Sequence, residues 1–205
     1  MRFSIIIPAY NAEGHIFRAL DSIRQQVFNN YELIVVCDSC TDCTPEIAKS
    51  YGAKVIEVNY HRDGLTRNAG LDVAQGDYIL FMDDDDWWLH EYVLTQLDGV
   101  IRDNPMAAVI CFSFIWKGRG YTTPDSNNGY HWANVWSKCW KRSAIGKTRF
   151  NGKWSVSDLD FCNEMFAKGL YMIDWVMPLY YYNFMREGSI TERDSRKISE
   201  QESRG

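Results

Sequence analysis

Tyr78-Ile79-Leu80-Phe81-Met82-Asp83-Asp84-Asp85-Asp86 decides the fold: an apolar run of strand length breaks at once into four carboxylates. A short continuous apolar run reads as a strand buried on both faces, and such strands belong to parallel sheets covered by helices. Upstream, Gly64 to Ala74 reads as a helix closed by Gly76. Before it, Val55 to Val58 reads as a strand, and Thr44-Pro45-Glu46 as an N-cap, a first-turn proline and an acidic first turn of a helix that Gly52 ends. Leu33 to Val36 and Phe3 to Ile7, the latter stopped by Pro8, are two further strands. Between them Ile16, Leu20, Ile23 and Val27 recur on one helical face. Strand and helix thus alternate, which predicts an α/β protein with a mostly parallel sheet flanked by helices.

Downstream the pattern is less regular. A helix is expected to begin near Trp87, Ala107 to Trp116 reads as a strand, and Lys117 to Tyr130 as a loop. Asp158 to Lys168 has helical spacing with Gly169 as its stop, and Tyr180 to Tyr182 reads as a strand. The 205 residues are read as one domain. The pattern divides it into residues 1–104, residues 105–190 and a polar tail over 191–205.

Apolar residues make up 46% and charged residues 24%, an ordinary globular balance. The net charge of −5 and the absence of a strongly basic block argue against nucleic acid as a partner. No apolar stretch reaches the roughly 18 residues of a membrane span, and Phe3–Ile7 is too short for a signal peptide. A cytoplasmic protein with six free thiols is the expectation, with peripheral contact at the inner face of the membrane allowed.

In open parallel sheets ligands bind at the carboxyl ends of the strands. Three polar clusters fall there: Ala9-Tyr10-Asn11, Asp38 to Thr44, and Asp83 to Asp86. Four adjacent carboxylates repel one another and persist most readily around a cation. Their hard oxygens suit magnesium or manganese, which bridge carboxylates and substrate phosphates. The competing reading is a solvated acidic turn that caps the next helix. Asp38, at a strand end, can accept a hydrogen bond from a base or ribose, while Asp42 and Thr44 can cap the helix after it. Cys37, Cys40 and Cys43 are spaced as C-x2-C-x2-C, but no fourth ligand stands nearby, which disfavours a thiolate metal site. Asp158 and Asp160 open a helix, as a general base or as dipole-stabilising acids. Arg67 and Arg186 are cations able to hold a phosphate or a carboxylate, or to lie on a solvated surface.

Taken in order, these segments resemble glycosyltransferase family 2, inverting enzymes with a GT-A fold. Ser4 to Asn11 resembles the first strand and donor turn, and Val35 to Thr44 the V-V-D-D-G-S-T-D-G-T stretch. Gly64 to Ile79 is similar to the G-x-x-x-A-R-N-x-G run that leads into D-x-D, which Asp83 to Asp86 matches. Val135 to Lys138 with Phe150 resembles the acceptor-side W-x-K and aromatic loop; Ser157 to Phe161 resembles E-D-x-x-F; Pro178 to Tyr182 and Arg186 to Ile190 resemble the closing strand and loop. The resemblance implies a GT-A, Rossmann-like nucleotide-diphospho-sugar transferase fold with a mixed central sheet. It implies a nucleotide diphosphate sugar donor, UDP-linked by preference, bound by Pro8, Ala9, Tyr10, Asn11, Asp38, Arg67, Asp83, Asp84 and Arg186. It further implies a divalent metal, Mn2+ or Mg2+, on Asp85 and Asp83; Asp158 as the base; and a saccharide or lipid-linked acceptor in polysaccharide or glycolipid synthesis. Cys37 and Ser157 depart from the pattern, each standing where the family carries an acidic residue, and Asp160 is the rival base. Two other readings compete: a phosphatase-like hydrolase, which would want Thr or Val where Trp87 stands, and an inactive sugar-nucleotide-binding protein.

Overall fold

The structure is a computed structural model that describes residues 1–124, 133–153 and 157–183. Its first half runs β1 (Phe3–Ala9), α1 (Ile16–Arg24), β2 (Tyr31–Asp38), α2 (Thr44–Ser50), β3 (Lys54–Val58), α3 (Asp63–Val73) and β4 (Tyr78–Phe81). It continues through β5 (Trp87–Trp88), α4 (Val93–Asp103), β6 (Val109–Trp116), β7 (Gly120–Thr122) and β8 (Lys138–Lys141). A short α5 (Arg142–Ile145), α6 (Ser157–Ala167) and β9 (Met172–Tyr182) complete it.

The strands join in one sheet in the order β3-β2-β1-β4-β8-β6-β9-β5, with β7 paired to β6. β3, β2, β1 and β4 are mutually parallel, β8 turns antiparallel between β4 and β6, and β9 returns parallel to β6. Strand alternation divides the core. Phe3, Ile5, Ile7, Leu33, Val35 and Leu80 face one side, where α1 and α4 cover them. Ile6, Ile34, Val36, Ile79 and Phe81 face the other, against Leu71 of α3 and Phe161, Cys162 and Met165 of α6. Being covered on both faces is why these strands read as continuous apolar runs.

Several local expectations are corrected. Val27 is 52% exposed, because α1 ends at Arg24. Gln26 is buried instead: its amide donates to Ser22 O and His90 O and accepts from Leu94 N, tying the helix end to the segment before α4. Trp87 does not start a helix. It begins β5, which pairs antiparallel with Tyr180–Tyr181 of β9, and the helix starts at Val93. Thr44 is not an N-cap but the first helical residue of α2; its N–H is received by Asp42 and its hydroxyl accepts from Ala12 N. The loop read over 117–130 contains β7, which forms a hairpin with β6.

Two close approaches explain glycines. A Cβ at Gly76 would lie 2.5 Å from Ser4 N. One at Gly64 would lie 2.7 Å from Asn151 O and 2.9 Å from Ser157 Oγ, so α3 and α6 meet through small residues. That contact brings the start of α6 up to the carboxyl edge of the sheet.

Candidate active site

The chain crosses that edge at three places. Pro8 and Ala9 end β1 and are buried, which leaves Tyr10 and Asn11 as the exposed part of the first turn. Asn11 has φ of 46°, a left-handed conformation that asparagine tolerates. Its side-chain oxygen accepts from Thr41 N at 2.8 Å. Glu13 N donates to Asp42 and Cys43 N donates to Glu13, so side chains and backbone zip this turn to the loop after β2. Cys40 belongs to the same seam: its sulfur receives Asn11 N–H at 3.4 Å.

Asp38, at the end of β2, is buried and saturated by the protein. It accepts from Tyr60 N at 2.7 Å, His61 N at 3.0 Å, Arg62 N at 3.1 Å and Thr66 Oγ1 at 2.8 Å. Ser39 Oγ stands 3.1 Å from Asp38 but 2.6 Å from Asn59 Oδ1, and its single proton serves one of them. Burial raises the Asp38 pKa, but these bonds outweigh it and hold the carboxyl below its ordinary value. Its observed work is to fix the 59–62 loop that leads into α3.

The four aspartates are pulled apart by their partners. Asp83 receives Arg67 Nη2 at 2.6 Å. Asp84 meets His15 Nε2 at 3.1 Å and Tyr10 N at 3.5 Å. Asp86 is fully buried and accepts from Tyr180 Oη at 2.7 Å and Asn183 N at 2.8 Å. Asp85 is half-buried within the turn that Asp86 N closes onto Asp83 O. A solvated acidic turn capping a helix does not describe this arrangement.

Arg67 is the hub. On α3 its side chain is 3% exposed. Its guanidinium binds Asp83, pairs with Asp63 one helical turn back, and lies 3.5 Å from Asp158 Oδ1 at the start of α6. Phe150, stacked on Phe161 at 4.2 Å, sits against it, with the guanidinium 5.8 Å from the ring centre. Asn68 pins that loop by exchanging two hydrogen bonds with the Phe150 backbone. Burial, opposed by Arg67 and reinforced by Asp63, pushes Asp158 up to about 6. Asp158 Oδ1 is buried without a hydrogen-bond partner in the site. Asp160 points elsewhere: it receives Asn151 and Lys153, whose hydrogen bonds hold its pKa down.

Trp136 and Lys138, read as acceptor-side residues, are buried. Trp136 stacks on Tyr180 at 4.8 Å and Tyr182 at 4.7 Å and builds the core. Arg186 lies outside the described residues. Sequence reasoning missed His15, Asp63, Tyr180 and the burial of Asp86. The i,i+4 spacing of Asp63 and Arg67 was a usable signal. No local signal joins His15 to Asp84, which is 69 residues away. A cavity of about 370 Å³ lined by Arg24, Tyr31, Glu32, Tyr51 and Lys54 lies at the opposite end of β2 from Asp38 and is remote from this chemistry.

Among the described residues no three metal-ligating side chains converge. A cation held jointly with substrate phosphates needs only one or two carboxylates, and Asp83 and Asp85 supply hard oxygens on one turn. The charge at this edge favours it too: Asp63, Asp83 and Asp158 share the one Arg67 guanidinium, and Asp84 and Asp85 stand beside Asp83, so an anionic ligand needs a counter-ion there. The donor set fits a divalent metal.

Parallel strands ending in a carboxylate turn, then a mixed half carrying a further aspartate to the same edge, define a GT-A transferase fold. The chain belongs to glycosyl transferase family 2, whose family model matches residues 4–172. It is 28% identical over 96% of its length to the putative glycosyltransferase EpsH of Bacillus subtilis, and covers 64% of that protein. It is 36% identical over 49% of its length to glycosyltransferase GlyA of Streptococcus pneumoniae, covering 15% of it. The Staphylococcus aureus TarS 1–349 structure in complex with UDP-GlcNAc superposes with a TM-score of 0.81 at 24% identity, over 94% of this chain and 61% of that one. The Pyrobaculum calidifontis mannosyltransferase PcManGT, in complex with GDP-Man and Mn2+, gives 0.75 at 16% identity, over 95% and 60%. The chain therefore spans less than two thirds of these relatives. Family membership counts against the phosphatase-like reading. No helix among the described residues is long and apolar enough to cross a membrane.

Proposed function

We propose that this chain carries the catalytic site of an inverting glycosyltransferase, moving a sugar from a nucleotide diphosphate donor, UDP-linked by preference, to an acceptor hydroxyl in polysaccharide or glycolipid synthesis. The observation that carries the reading is the Arg67 bridge, which joins Asp83 at the end of β4 to Asp158 at the start of α6. The UDP-GlcNAc held by TarS and the UDP-Glc donor of the Escherichia coli relative WfaP support a uridine donor. WfaP's acceptor is a diphosphoundecaprenol-linked sugar, and an acceptor of that kind would bring transfer to the inner, cytoplasmic face of the membrane.

In this reading Tyr10 and Asn11 line the donor turn beside the Asp38 loop, with residues 1–104 as the donor half and 105–190 as the acceptor half. Asp85 and Asp83 would hold Mn2+ or Mg2+, which when bound neutralises charge on the diphosphate leaving group. Arg186, outside the described residues, is assigned the same task. Arg67 holds Asp83 and Asp158 at a fixed separation. Asp158 takes the acceptor proton, and burial, by raising its pKa, makes it a stronger base than an exposed aspartate. Attack from the face opposite the leaving group then inverts the anomeric carbon.

The test is calorimetry of UDP, GDP and their sugar conjugates with and without Mn2+, followed by transfer assays. Asp85→Ala should abolish metal-dependent binding with the fold intact. Asp158→Ala should bind donor and lose transfer, while Asp160→Ala retains it. In the parent protein the rate should fall as pH drops through about 6, where Asp158 takes a proton. Normal transfer by Asp158→Ala sinks the base assignment, and no nucleotide binding in any condition sinks the donor reading.

A further inference from the structure

Between Asp83 and Asp85, the two residues that would hold the cation in the proposed reading, stands Asp84, a third carboxylate. Left to itself it would add negative charge where a diphosphate must sit. The structure shows where that charge goes. Asp84 Oδ1 meets His15 Nε2 at 3.1 Å, and Asp84 Oδ2 lies 3.5 Å from Tyr10 N on the first turn. Both side chains are largely buried, 15% and 17% exposed. Because a carboxylate only accepts, Nε2 must carry the proton, which both the neutral tautomer and the imidazolium permit. His15 stands directly before α1, whose apolar residues Ile16, Ala19, Leu20 and Ile23 are fixed in the core. The imidazole is therefore presented from a rigid element.

We infer that His15 is a positioning residue that holds the Asp84 carboxylate against the first turn and away from the cation and diphosphate. This rests on the proposed nucleotide diphosphate reading of the same crevice. The pair does two things at once. It withdraws a surplus charge from the ligand position, and it braces the Tyr10 turn against the aspartate turn.

The experiment is calorimetry of UDP in the presence of Mn2+ on the whole chain, with thermal melting as a fold check. His15→Ala frees Asp84, and affinity should fall by about ten-fold, the effect of one unopposed like charge near a partly hydrated site. His15→Gln, whose amide reaches a similar position, should stay within about three-fold of the parent protein. The decisive variant is His15→Ala with Asp84→Asn: removing the released charge should recover most of the lost affinity. If the double variant binds as weakly as His15→Ala, the loss came from packing and the inference is overturned. It is equally overturned if His15→Ala binds like the parent. Should His15→Ala fail to fold, His15→Glu replaces it, since like charge expels Asp84 and Asp84→Asn must again relieve the loss. Hydrogen exchange on the nucleotide-free protein reads the brace separately: amides around Tyr10 should exchange faster in His15→Ala. If the parent protein itself binds no UDP, the donor reading has failed, and that exchange difference still decides whether the brace exists.

Discussion

Replacing Arg67 by methionine tests the hub most directly. Methionine keeps much of the side-chain stem beside Phe150 and removes the charge. Three carboxylates then face one another without their shared cation. Removing one partner of a buried ion pair costs about 3–5 kcal/mol. Here Asp63, Asp83 and Asp158 retain 39%, 29% and 28% side-chain exposure, so water offsets part of the loss. The lower end of the range, about 3 kcal/mol, is the expectation. For a chain of this size that is a fall in Tm of about 6–12 °C. The dependence on pH has a definite sign. Burial already holds Asp83 and Asp158 above their unfolded pKa, and losing Arg67 raises them further, so the folded state binds the extra protons. Stability of the variant must therefore drop as pH rises through these values, and its deficit must shrink on acidification. Urea denaturation of both proteins at pH 7.5 and 5.5 measures this. A deficit under about 1 kcal/mol at pH 7.5, or one that grows at pH 5.5, would refute the hub.

Three further expectations follow from the same contacts. Asp38→Ala leaves the Tyr60, His61 and Arg62 amides without their acceptor and should cost about 3 kcal/mol, with those amides exchanging faster; unchanged exchange would mean the loop is held by something else. Gly76→Ala drives a Cβ into the β1 backbone and should cost about 2–3 kcal/mol, whereas Gly99→Ala in α4, with open space around it, should gain up to about 1 kcal/mol; equal melting temperatures would contradict the packing. Iodoacetamide at pH 7.5 should label Cys40 ahead of the more exposed Cys43: the hydrogen bond from Cys37 and the Asn11 N–H lower the Cys40 pKa, while Glu13 raises that of Cys43. Peptide mass spectrometry reads the order, and reversal would show that access outweighs thiolate character.

The alternation of strand and helix through residue 82 was legible because each element carries its own period. β1, β2 and β4 are buried on both faces and read as unbroken apolar runs, and α1 repeats Ile16, Leu20 and Ile23 at helical spacing. The placement of carboxylates after β2 and β4 was legible for the same reason, since strand ends locate the ligand edge. Trp87–Trp88 was not legible, because a two-residue strand exists only through its pairing with Tyr180–Tyr181. Nor was the end of α1, which Gln26 sets by reaching residues 90 and 94.

The sequence by itself determined the sheet, its carboxyl edge and the set of acids that stand there, because burial periodicity and strand ends are local properties. Tertiary structure decided what each acid does. Four adjacent aspartates are chemically identical in sequence, and only long-range partners divide them: Arg67 takes Asp83, His15 takes Asp84, and Tyr180 and Asn183 take Asp86. The same holds for Asp158 and Asp160, two residues apart on one helix and therefore on different faces, one turned to Arg67 and the other to Lys153. A carboxylate's charge is written in the chain, but its direction is set by whichever donor the fold brings within reach.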